Sequence, residues 1–132
     1  VFDRPEEIIV LKQPQSSTGK AKDLVLSLAR ALNAEDFQAA RDYLSDNLTF
    51  VGVFGSSDGA EPFLRDMERL RIKFDISRLF GDGEDISVFY NLTTSGVTLF
   101  ACGWFQVREG KVSSVRIVFD PRPLLASQPG SD

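Results

Sequence analysis

The spacing of hydrophobic positions changes partway along the chain, dividing it into helices first and strands afterwards. Leu24, Val25, Leu28 and Leu32 recur at helical spacing and predict a helix over 18–32. A second helix is expected over about 34–45, with Phe37, Ala40, Tyr43 and Leu44 on one face and Asn33, with Asp36 three residues on, as its cap. At Leu48 the period drops to two. Leu48, Phe50, Gly52 and Phe54 alternate with Thr49, Val51 and Val53, which reads as a strand apolar enough for burial on both faces. Gly55-Ser56-Ser57-Asp58-Gly59 reads as a turn, and Pro62 suits the first turn of a third helix whose buried stripe is Phe63, Met67 and Leu70.

Beyond Arg71 the pattern predicts strands alone, over about 72–80, 86–94, 97–107 and 111–119. Gly81-Asp82-Gly83-Glu84, Thr94-Ser95-Gly96 and Glu109-Gly110 connect them, each with a glycine suited to a tight hairpin. Helices segregated from a meander of strands imply an α+β fold, three N-terminal helices packed on a mostly antiparallel sheet. Residues 1–17 carry Pro5, Pro14 and a Gln-Ser-Ser run around Ile8-Ile9-Val10-Leu11, and read as an arm able to lie on the surface as a short strand. Residues 18–126 form the expected single domain and 127–132 a flexible tail.

Composition narrows the chemistry. At 132 residues, 42% hydrophobic and with eleven Phe, the chain can bury one core. No stretch approaches the roughly 20 apolar residues of a membrane helix. A net charge of −4 gives no footprint for nucleic acid, and Arg65, Arg69, Arg71 and Lys73 are interrupted by Asp66, Glu68 and Asp75, as on a solvated helix face. The absence of His and the single Cys remove Ser-His and Cys-His nucleophile pairs, His-ligated zinc and Cys-cluster zinc. The acidic hairpin of Asp82, Glu84 and Asp85 matches no calcium motif. No metal and no cofactor are expected. A start at Val1 without a basic-then-apolar leader pattern sets a cytoplasmic expectation, with a removed leader left open.

The most specific stretch is Gly103-Trp104-Phe105-Gln106-Val107-Arg108-Glu109-Gly110-Lys111-Val112, followed by Val115-Arg116-Ile117-Val118-Phe119-Asp120 and Leu124-Leu125. Strand, hairpin, strand, closing Asp and short apolar tail resemble the NTF2-like superfamily, which includes limonene epoxide hydrolases, SnoaL-type polyketide cyclases and ketosteroid isomerases. The resemblance implies a cone in which a curved sheet wraps the helices around an apolar pocket, and dimerisation through the outer sheet face. Under it, the ligand-binding candidates are Phe50, Phe54, Phe63, Met67, Tyr90, Phe100, Cys102, Trp104 and Ile117, with Gly52, Val88, Leu92 and Phe119 beside them.

The same resemblance shows what has been replaced. The water-holding pair of the epoxide hydrolases falls at Phe50 and Gly52, their Arg-x-Asp at about Tyr90 and Leu92, and their last catalytic Asp at Ile117. The base and acid of the isomerases fall at about Val51 and Cys102. Water attack needs a base and an acid, and Phe50, Leu92 and Ile117 supply neither. Tyr90 and Asp120 are the remaining catalytic candidates, with Asp75 a further carboxylate outside the pocket. The expectation is a non-catalytic domain that binds a small hydrophobic molecule as a homodimer. The alternatives are a SnoaL-like isomerase, lyase, cyclase or epoxide hydrolase acting on a hydrophobic substrate, and an interaction module whose cone is filled by its own Phe side chains.

Overall fold

The computed structural model describes residues 5–126, with side chains from Thr18 onward. In chain order the elements are α1 (Pro5–Asn33), α2 (Phe37–Asp42), β1 (Leu44–Gly52), β2 (Gly55–Asp58), α3 (Ala60–Leu70), β3 (Lys73–Asp82), β4 (Asp85–Thr94), β5 (Val97–Arg108), β6 (Lys111–Phe119) and α4 (Arg122–Ala126). This is the expected α+β order. The helix α1 starts within the stretch expected as an arm, and Pro5 is tolerated there because a first-turn residue needs no N–H partner. The tail over 127–132 and residues 1–4 lie outside the described residues.

The strands form one six-stranded sheet in the order β2-β1-β6-β5-β4-β3, antiparallel except where β1 runs parallel to β6. That parallel pair explains a boundary. Leu44 pairs with Val112, and the Val112 N–H donates to the Tyr43 carbonyl at 2.8 Å, so the expected second helix ends at Asp42 and its last residues join the sheet. Residues 55–58, expected as a turn, form the edge strand β2 against Thr49–Gly52. Burial on β1 falls on one face only, with Leu48 buried and Thr49 and Val51 exposed, because the helices cover a single side of the sheet.

Ala21, Val25, Leu28 and Leu32 make the buried stripe of α1, and Ala60, Phe63, Leu64 and Met67 that of α3. The stripes follow the 3.6-residue period and face the sheet, α1 chiefly over β3 and α3 over β1 and β2. At 25 cal/mol per Å² as a rough coefficient, such buried side chains supply most of the favourable folding energy.

Side chains fasten these layers. The Asn33 carboxamide donates to the Phe74 carbonyl and accepts from the Phe74 N–H, both at 2.8 Å, so the end of α1 is tied to β3 as a neighbouring strand would be. Lys73 adds an ion pair to Glu35 at 2.7 Å. The cap of α2 is Asp36, which accepts from the Ala39 N–H at 3.1 Å, leaving Asn33 for this second role. Arg41 donates to Glu61 at 2.6 Å and also pairs with Asp46, clamping α2 to α3 and β1. Toward the other end of α1, Thr18 donates to the Gly83 carbonyl at 2.9 Å. No described helix is long and apolar enough to cross a membrane.

Candidate functional site

One cavity of about 470 Å³ opens between the helices and the inner sheet face. Every strand contributes to its lining, from Ser57 on the edge strand β2 to Phe74 and Ile76 on the opposite edge strand β3. Edge strands can share a cavity only if the sheet curls, so the cone expected from the resemblance is present. The cone is not filled by its own phenylalanines.

Strand alternation decides which side chains reach the interior. Val88, Tyr90 and Leu92 project inward from β4, Phe50 and Gly52 from β1, and Ile117 and Phe119 from β6. The helix α3 adds Phe63 and Met67, and the Phe50 and Phe63 rings lie 5.5 Å apart. Phe54 stands at the exposed mouth, edge-on to Phe119 at 5.9 Å. The positions at which the resemblance expected epoxide-hydrolase chemistry, Phe50, Gly52, Tyr90, Leu92 and Ile117, therefore all face one space.

Phe100, Cys102 and Trp104 do not. Their expected inward placement is off by one residue, since β5 turns Leu99, Ala101, Gly103, Phe105 and Val107 inward. Tyr90 pairs with Ala101 and Val88 with Gly103, and directly opposed residues share a face. Phe100, Cys102 and Trp104 instead lie on the outer face with Phe80, Phe89 and Val118. The Trp104 indole N–H donates to Asp85 at 3.0 Å.

Asp120 also lies away from the cavity. It is exposed, accepts from the Arg122 backbone N–H at 3.0 Å and forms a forked ion pair with the Arg122 guanidinium. Hydrogen bonds from Arg122 hold its carboxyl below the usual carboxylate range, which suits a turn anchor rather than a base. Asp75 is exposed on β3 and does not line this cavity.

Several polar contributors went unread in the sequence, Ser56, Thr94 and Ser95 among them. Ser57 lines the cavity from the segment expected as a turn, and Asp66 and Arg69 reach it from the helix face expected to be fully solvated. Asp66 follows Phe63 by three residues and precedes Leu70 by four, a helical spacing that places it beside the apolar stripe. Asp66 and Arg69 pair with each other at 3.4 Å and keep 45% and 66% of their side-chain surface exposed, so they form a charge-balanced rim.

The interior is different. Among the described residues lining the cavity, only Asp66, Arg69 and Tyr90 are ionisable, and Tyr90 alone is fully buried. Burial, with a smaller contribution from Cys102, pushes the Tyr90 phenol well above its usual value, so it stays protonated and available to donate. Its hydroxyl has no hydrogen-bond partner among the described residues, and neither does that of Ser57.

A curled sheet holding an apolar cavity beneath N-terminal helices defines an NTF2-like fold. A family model described as a SnoaL-like domain matches residues 25–115, more than half of the chain, and the chain belongs to that family. It is 38% identical to an NTF2-like protein of unknown function from Cytophaga hutchinsonii, over 79% of this chain and 93% of the other, with a TM-score of 0.77. A Mycobacterium tuberculosis LEH-like epoxide hydrolase shares 25% identity over 83% and 89% of the two chains, with a TM-score of 0.72. Bal32a, from a soil-derived mobile gene cassette, has the same fold at 15% identity, covering 82% and 95% with a TM-score of 0.76. A search of curated protein sequences finds no match.

Proposed function

We propose that this SnoaL-like domain binds a small hydrophobic molecule in its cone without transforming it, and does so as a homodimer. The observation that carries the reading is the content of the cavity. About 470 Å³ is lined mainly by apolar side chains, with the charged groups confined to a self-paired rim. That volume lies within the range of small-molecule sites, roughly 300–1,000 Å³. Proton-transfer chemistry calls for an acid and a base positioned on the reacting atoms. The interior offers a phenol and no carboxylate beside it.

The outer face supports the dimer. Phe80, Phe100, Trp104 and Val118 are exposed there, and Phe89 joins Phe80 and Phe100 through ring contacts at 6.1 and 6.3 Å. A contiguous aromatic patch of this kind is uncommon on a surface left in water.

One observation favours an enzyme as the second reading. Asp66 gives the cavity a carboxylate, so Tyr90 as acid and Asp66 as base is the pair a SnoaL-like enzyme would use here. The ion pair to Arg69 and the position at the rim weigh against it.

Native mass spectrometry of freshly purified protein, followed by denaturing extraction, tests the proposal. A species of two chains carrying a discrete apolar molecule is the expected result. An empty monomer would overturn both parts, and extraction of a substrate together with its product would favour the enzyme.

A further inference from the structure

The chain leaves β6 through a stiff corner. Asp120-Pro121-Arg122-Pro123 carries two prolines, each fixing its own φ and restricting the residue before it. The helix α4 that follows is five residues long, too short to hold itself together, and none of its residues is buried. Leu124 and Leu125 donate their N–H groups to the Pro121 carbonyl, both at 3.0 Å, which closes its single turn. The helix packs against β5, and Leu124 lines the cavity together with Phe54 and Phe119, the ring pair at the mouth.

One side chain fastens the corner. Asp120 accepts from the Arg122 backbone N–H at 3.0 Å, from its Nε at 2.9 Å with both carboxylate oxygens, and from its Nη2 at 2.6 Å. An exposed ion pair adds little to the stability of a fold, and Arg122 keeps 86% of its side-chain surface in water. What the fork does fix is the direction in which α4 leaves the sheet, and with it the place of Leu124 at the cavity. Resting on the reading of the cone as a binding site, we infer that α4 is a flap at the cavity mouth. Leu124 is the side chain it lays on an apolar occupant, and Asp120 is a positioning residue that latches the flap through Arg122. The helices α1 and α3 are walls, since each buries an apolar stripe against the sheet. With no buried residue of its own, α4 can lift from the mouth while the rest of the domain stays folded.

The uncharged probe N-phenyl-1-naphthylamine, which brightens in apolar surroundings, tests this by stopped-flow fluorescence on the full chain. Leu124→Ala and Asp120→Ala are each expected to speed its dissociation about 3- to 10-fold, the scale of losing one apolar contact. The double variant should be no faster than the faster single one, because both substitutions remove the same contact. Asp120→Asn keeps an acceptor for the Arg122 backbone N–H and loses the ionic fork, so its rate should fall between those of the wild type and Asp120→Ala. Urea midpoints should be the same in all four variants as in the wild type. A wild-type dissociation rate in Asp120→Ala would overturn the inference while leaving the cavity as a binding site. Multiplied rates in the double variant would show that Asp120 acts on something other than Leu124 and would also overturn it. A midpoint lowered by Asp120→Ala and not by Leu124→Ala would assign the fork to the fold instead. Failure of the wild type to bind the probe would sink the cavity reading itself, and this inference with it.

Discussion

Gly103 and Phe105 stand on the same inner face of β5, and a Cβ on Gly103 would come within 2.8 Å of the Phe105 ring. The ring occupies space that only the absence of a side chain leaves free. Gly103→Val is therefore expected to displace Phe105 into the cavity and cost about 1–3 kcal/mol through overpacking. Urea denaturation should show the lower midpoint, and apolar probes should bind more weakly.

Tyr90→Phe should behave unlike most buried tyrosine substitutions. Removing a hydroxyl that has lost its water contacts and gained no partner is expected to leave the ligand-free protein as stable, or more stable by up to about 1–2 kcal/mol. A decrease in chemical-denaturation stability would show that the hydroxyl has an internal partner.

The same residue sets an alkaline limit. The folded state holds the Tyr90 proton above the ordinary tyrosine value of 10.0, so above that pH the unfolded chain binds fewer protons than the native one. The stabilisation is complete below about pH 10 and declines as the pH rises beyond it. Denaturation midpoints should fall over that range in the wild type and fall less in Tyr90→Phe.

Val118 is 64% exposed at the centre of the outer face, on the strand beside Cys102. If the proposed homodimer forms through this face, Val118→Glu sets two carboxylates against it and should weaken self-association more than about tenfold, leaving the fold intact. Sedimentation velocity reads the change directly. Trp104, the single tryptophan, lies on this face, so its emission should shift to the red on dissociation and respond little to a ligand in the cavity.

Gly81 tests how α1 is seated. A Cβ there would lie 2.3 Å from the Thr18 methyl, so Gly81→Ala is expected to cost about 1–3 kcal/mol. Thr18→Ser removes that methyl and keeps the hydroxyl that bonds Gly83. Combining the two should recover part of the loss, a coupling that a double-mutant cycle measures.

Much of the architecture was legible because its causes are local. Leu28 and Leu32 mark one helical face, and Ser95-Gly96 and Glu109-Gly110 occupy the positive-φ pairs that two-residue hairpins require. The facing of β5 was not legible. From Leu99 to Phe105 every residue is apolar or small, so alternation of polarity carries no phase, and the decision rests on size: Ala101 and Gly103 fit beside the Tyr90 and Phe105 rings. The strand β2 escaped notice because Gly-Ser-Ser-Asp has turn composition and becomes a strand only through pairing with β1. Asp66 was masked by its charge, although its spacing from Phe63 pointed to the cavity.

The two hydrogen bonds from Asn33 to Phe74 have a consequence for how copies of the protein meet. A β-strand at the border of a sheet offers unpaired N–H and C=O groups to any other chain. At Phe74 those groups are already taken, and the opposite border is a four-residue polar strand too short to template much pairing. In the proposed homodimer the contact would be made by the aromatic outer face rather than by these borders, and a two-fold contact there closes on itself.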